Sequence, residues 1–130
     1  MTEILIADDE TAIADSTAQL LQADGHSVAT ISSAAQILAA LRRERPRVLL
    51  QDVRMPGLDL ETTMRAIRAD PGLEQTFVVL FTATMSIRDI AHTLGADEVI
   101  EKPYEPEDLL AMVRAWLDEA RQRPRASPSS

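Results

Sequence analysis

The run Val48-Leu49-Leu50-Gln51-Asp52-Val53-Arg54-Met55-Pro56-Gly57 decides how the chain is read. Val48 to Leu50 are apolar without alternation, the pattern of a strand buried on both faces of a parallel sheet, so Asp52 falls at or just past its carboxyl end. Pro56 cannot extend a strand and Gly57 accepts positive φ, so a turn follows. Open α/β sheets hold their chemistry in the crevice outside the carboxyl ends of the strands. An Asp before Pro-Gly also serves as a plain turn cap, and only the rest of the chain separates the two readings.

The same grammar repeats on both sides. Ile4-Leu5-Ile6-Ala7 reads as a strand that runs into Asp8-Asp9-Glu10. Ile13, Thr17, Leu20 and Leu21 are spaced as one stripe of an amphipathic helix, with Gly25 just past its end. Ser27 to Ile31 reads as a β-branched strand, Ser32-Ser33 as an N-cap, and Ala34, Ile37, Leu38 and Leu41 as the inner face of a second helix that Pro46 stops. Beyond Gly57, Leu60, Met64 and Ile67 mark a third helix ending at Asp70-Pro71-Gly72, and Thr76 to Phe81 is again a fully buried strand. Ile87, Ile90, Ala91 and Leu94 predict a short fourth helix closed by Gly95. Val99-Ile100 is a fifth strand ending at Glu101-Lys102-Pro103, and Leu109, Val113, Trp116 and Leu117 line the last helix. Five strand-helix alternations predict an α/β fold, a doubly wound five-stranded parallel sheet with five helices, because parallel neighbours need crossover connections. Residues 1–120 form one domain on this reading, and 121–130 a disordered Pro/Ser/Arg tail with nothing to bury.

Composition narrows the function. The 130 residues include no cysteine, which removes disulfide, thiolate and cysteine-zinc chemistry. No apolar stretch is long enough to span a bilayer, and Met1-Thr2-Glu3 lacks the basic start of a signal peptide, so a cytoplasmic location and no membrane partner are expected. The formal net charge of −8 disfavours nucleic-acid binding by the folded part.

Four strands end in a polar or charged cluster: Asp8-Asp9, Asp52, Thr82 and Lys102. A parallel sheet brings all of these to one edge. Singly they read as helix-terminal acids, a cap and a solvated lysine. Together they do not, because Lys102 is the only lysine among 13 basic residues and it stands at a strand's carboxyl end, just before a proline. Three close carboxylates call for a cation, and hard oxygen ligands suit Mg²⁺. Asp52 is then the natural nucleophile toward a phosphoryl group, with Thr82 and Lys102 positioned for its oxygens.

At this point the sequence resembles the receiver domains of two-component response regulators, over about residues 3–119. The matching pieces are Ile4 to Glu10, Asp52 to Asp59, Leu80 to Ala83, Gly95 to Asp97 and Lys102-Pro103. The resemblance implies the flavodoxin-like strand order 2-1-3-4-5 and a single-domain response regulator whose Asp52 accepts phosphoryl from a histidine kinase or phosphotransfer protein. It implies that Asp9, Asp52 and the backbone carbonyl of Arg54 ligate Mg²⁺, with Asp8 beside them, that Thr82 and Lys102 contact the phosphoryl, and that the Lys102–Pro103 bond is cis. Slow autodephosphorylation is part of the same reading, with Arg54 and Thr84 flanking the phosphoryl and tuning its lifetime.

The pattern is broken at Val99, where the family usually has an aromatic switch residue. Leu60 also replaces a common glycine, and the segment from Thr82 to Lys102 is slightly short. Tyr104 is read as a packing residue. Output is expected through a downstream protein target or a homodimer over the last two helices and strand, with Leu110 and Met112 as the exposed apolar residues. His26 and His92 are excluded as phosphodonors by position. The broken switch favours a second reading, an interaction module that works without phosphorylation. Two other readings fare worse: a dehalogenase-like phosphohydrolase would need a second Asp where Arg54 stands, and a flavin protein would not place Asp8-Asp9-Glu10 in its phosphate loop.

Overall fold

A computed structural model describes residues 2–83 and 87–123. The strands are β1 (Ile4–Ala7), β2 (Val28–Ile31), β3 (Val48–Asp52), β4 (Phe77–Thr82) and β5 (Glu98–Glu101), and the α-helices α1 (Thr11–Ala23), α2 (Ile37–Glu44), α3 (Leu60–Ala69), α4 (Arg88–Thr93) and α5 (Pro106–Gln122). The sheet is parallel, in the order β2-β1-β3-β4-β5 expected from the sequence. Each central strand is buried along its whole length, so its alternate residues feed two cores. Ile4, Ile6, Val48, Leu50 and Phe77 face α1 and α5. Leu5, Leu49, Val78 and Leu80 face α2, α3 and α4.

Glycine and proline punctuation sits where the chain has to reverse. Gly25, at φ +95°, lets its own N–H reach the Gln22 carbonyl and that of His26 reach Leu21, the paired bonds that close α1. Pro56 and Gly57 occupy the centre of a turn closed from Leu58 N–H to Met55 O at 3.0 Å, and Gly57 carries the positive φ (+79°) such a turn requires. Asp59 then caps α3, its carboxylate accepting from Thr62 N–H at 3.0 Å, so Leu60 opens the helix where the family's glycine would stand.

Four expectations need correction. The expected stripe of α1 is met at Leu21, which is fully buried, and Leu20 packs against the core, but its other buried residues are Ala14 and Ala18, not Ile13 and Thr17, and Ile13 is 40 % exposed. Small residues let the helix lie close to the sheet, and that closeness outweighs the larger side chain one position away. Ser33 caps without a side-chain hydrogen bond, and the chain enters α2 through a single 3₁₀ turn, Ala34–Gln36. Leu110 and Met112 are half-buried against the α1/α5 core instead of forming an exposed patch. Finally, Arg121 and Arg123, assigned to the tail, are held: α5 runs to Gln122, Arg121 pairs with Glu3 at 2.7 Å, and Arg123 pairs with Asp97. α4 is only six residues long, in keeping with the short segment noted from the sequence.

Candidate functional site

Strand register assembles the site. Ala7 pairs with Gln51, so Asp8 and Asp52, one residue further along each strand, stand side by side. Thr82 pairs with Glu101, which places Lys102 one step beyond, and Lys102 N–H reaches back to the Thr82 carbonyl at 2.8 Å. Ligand oxygens of Asp8, Asp9 and Asp52 lie within 4.8 Å of one another. Lys102 Nζ sits 3.5 Å from Asp8 Oδ2 and 3.7 Å from Asp52 Oδ1. Residues 94 positions apart thus share one charge cluster.

Each carboxylate is aimed. Asp8 Oδ1 accepts the Glu10 N–H at 3.0 Å, and Asp52 Oδ1 accepts the Arg54 N–H at 3.2 Å, folding the peptide after each Asp back over its own side chain. Asp52 is only 7 % exposed. Burial pushes its carboxyl above the usual range and the nearby Asp8 adds to this, while the Arg54 N–H and the Lys102 ammonium pull the other way. A single ammonium thus faces three carboxylates. The donor set is all oxygen and one member, Asp9, opens to solvent, which is the chemistry of a hard divalent cation that keeps part of its water. The residues present fit such an ion.

Thr82 is buried at the end of β4, beside this cluster in sequence register. The Lys102–Pro103 bond is cis. Val99 is half-buried against the α2/α3/α4 core. Tyr104 packs its ring edge-on to Phe81 at 5.4 Å, and its hydroxyl lies 3.4 Å from Thr17 Oγ1, which bears out the packing role. Thr84 lies outside the described residues. Neither histidine is at the carboxyl edge: His92 is exposed on α4, and His26 sits between Asp24 and Glu3 at the other end of the sheet.

One contributor was missed from sequence. Gln51, 1 % exposed, donates its amide to the Asp52 carbonyl at 2.9 Å and lies 3.1 Å from Met55 Sδ, bracing the backbone that carries the Asp52 carboxylate. Its signal was available: an amide interrupting a strand otherwise buried and apolar needs a partner.

The strand order and the acidic carboxyl edge define a CheY-like receiver fold of flavodoxin type. The chain belongs to the response regulator receiver domain family, whose model matches residues 4–114. It is 36 % identical over 116 residues to the DNA-binding response regulator MtrA of Mycolicibacterium paratuberculosis, covering 88 % of this chain and 50 % of that protein. The chain therefore spans about half the length of the curated relatives it matches. Among solved structures, a CheY-like receiver domain protein from Methanospirillum hungatei superposes with a TM-score of 0.81 at 33 % identity, over 94 % of this chain and 98 % of that one. The chemotaxis response regulator CheY4 of Vibrio cholerae gives 0.81 at 26 % identity, over 89 % and 98 %. The expected membership of two-component signalling is thereby met, and no described helix is long and apolar enough to cross a membrane.

Proposed function

We propose that the chain is a phosphoacceptor receiver: Asp52 takes a phosphoryl group from a phosphohistidine of a histidine kinase or phosphotransfer protein, in a Mg²⁺-dependent reaction, and signals through altered contact with a protein partner. The observation that carries this is the convergence of Asp8, Asp9, Asp52 and Lys102 at one sheet edge, with Thr82 at the end of the neighbouring strand. An Asp52 oxygen attacks phosphorus, the N–P bond breaks, and the imidazole leaves with its electron pair and takes up a proton. The ammonium of Lys102 and the hydroxyl of Thr82 receive the charge of the transferred oxygens. Asp9, Asp52 and the Arg54 carbonyl would hold Mg²⁺, with Asp8 beside them. A bound Mg²⁺ supplies positive charge that offsets carboxylate repulsion and phosphoryl charge.

The exposed Arg54 side chain, next to the acceptor, is assigned to tuning the phosphoryl's lifetime. Output passes through a downstream protein, or a second copy, over the last two helices and strand, where α4 presents Ile90, 57 % exposed. Without an aromatic at position 99, that output does not use the usual ring rotation. Intact mass after incubation with a small-molecule phosphodonor tests the reading. One added phosphoryl, dependent on Mg²⁺ and absent in Asp52→Asn, is expected. No gain in folded wild-type protein with Mg²⁺ present overturns it and leaves the phosphorylation-independent module.

A further inference from the structure

The opposite, amino edge of the sheet carries a second charged feature that phosphoryl transfer does not use. A cleft of about 480 Å³, counted with its open mouth, lies between the segment leading into β3, the α3–β4 loop and the end of α5. Arg45, Arg47 and Arg123 line it, with Gly72, Gln75 and Thr76 contributing to its wall. Three arginines thus border one cleft in a chain of net charge −8.

The neighbouring carboxylates are already engaged. Asp70 accepts Gly72 N–H at 2.8 Å and pairs with Arg42 at 3.0 Å, and Asp97 pairs with both Arg68 and Arg123. Arg45 acts on Asp70 only at longer range, and among the described residues neither Arg45 nor Arg47 forms an ion pair. Arg123 is the fixed member, held by Asp97 with its guanidinium 4.8 Å from the Phe77 ring centroid. Arg45 is the strained one. It ends α2 in the left-handed region, at φ 46°, where glycine is the usual residue, and its guanidinium lies against Gly72, about 3.8 Å from where a Cβ would stand. A bulky residue at such a backbone position is a pointer to function.

The geometry points to a binding site for a small phosphate-bearing polyanion. Forked guanidinium groups match phosphate oxygens in pairs, and among the described residues neither Arg45 nor Arg47 is held in an ion pair. This site is separate from Asp52 and stands whether or not Asp52 is phosphorylated.

Calorimetric titration of the full chain with sodium pyrophosphate tests it, in chelator-treated buffer at low ionic strength. One-to-one binding with a Kd of about 100 µM is expected, weakened about tenfold by Arg45→Gln and again by Arg47→Gln. Amide NMR signals of Gly72 and Thr76 should shift during the titration. Arg45→Gln alone, at an exposed position, keeps the test clear of any folding defect. Absence of heat and of amide shifts at about 5 mM pyrophosphate, affinity unchanged in both variants, or citrate binding as tightly as pyrophosphate would each overturn the assignment.

Discussion

Replacing Arg123 with Ala should destabilise the domain, although the residue stands one position beyond the last helix. Its guanidinium makes two bonds to Asp97, at 2.6 and 3.2 Å, and lies 4.8 Å from the centroid of the Phe77 ring. The two side chains are only 25 % and 19 % exposed, so the pair is partly shielded from screening. A charge-assisted bond of this kind is worth about 1.5 kcal/mol and the ring contact about 1 kcal/mol. The loss is capped because Asp97 keeps Arg68, at 2.9 Å, and the Val78 N–H, at 2.8 Å, and is not left buried and unpaired. We therefore expect a cost of about 2 kcal/mol, a fall in Tm of about 6–8 °C for a domain of this size. Urea unfolding measures it, in phosphate-free buffer so that the amino-edge cleft does not interfere. Arg123→Lys, which keeps the charge and loses the fork, should recover less than half. A loss below about 0.5 kcal/mol for Arg123→Ala would place the residue with ordinary surface positions and refute the clamp.

Mg²⁺ at ten times its Kd should stabilise the wild type by about 1.4 kcal/mol in thermal unfolding, and Asp9→Asn should remove most of that gain; equal stabilisation of both proteins would sever the acidic cluster from the ion. Asp59 gives a pH prediction. Its carboxyl is held below the usual range, chiefly by the Thr62 N–H. The cap's contribution is thus complete above the unfolded carboxylate pKa of about 3.9 and is lost as pH falls through the lower folded value. Asp59→Ala should be less stable than wild type at neutral pH and converge with it in acid; a constant gap would contradict this. Ile13→Asp should change stability by less than about 0.5 kcal/mol, whereas Ala18→Asp, at a position 7 % exposed, should cost several kcal/mol or abolish folding; the reverse order would restore the Ile13 stripe.

Much of this molecule was legible because parallel sheets write themselves as uninterrupted apolar runs. Val48 to Leu50 and Phe77 to Phe81 admit no alternation, and the residue at which each run stops had to lie at the functional edge. Asp8 and Asp52 stand out at or within two residues of the ends of such runs, and Lys102 also because it is the only lysine and precedes a proline. Interactions that depend on size or on distant partners were not visible. Ala14 and Ala18 carry little hydrophobic weight, so the start of the α1 stripe was placed one position early, on Ile13 and Thr17, while Leu21 was read correctly. Arg123 looked like tail because nothing local marks a residue whose partner is Asp97, 26 positions earlier. The Gln51 amide was visible as an anomaly, but its acceptor is a neighbouring backbone carbonyl that only the folded strand presents.

The wiring of the acidic edge also orders events in time. The three carboxylates, two just past β1 and one at the end of β3, are complete once residue 52 has been made, whereas their ammonium partner arrives with residue 102, after the last strand. A nascent chain of β1 to β3 therefore carries mutual repulsion without its counter-charge, and burying Asp52 there works against docking of those strands. The addition of β5 relieves it. On the proposed function, competence to receive a phosphoryl group comes only with completion of the sheet, because a chain that ends after β3 lacks both Thr82 and Lys102.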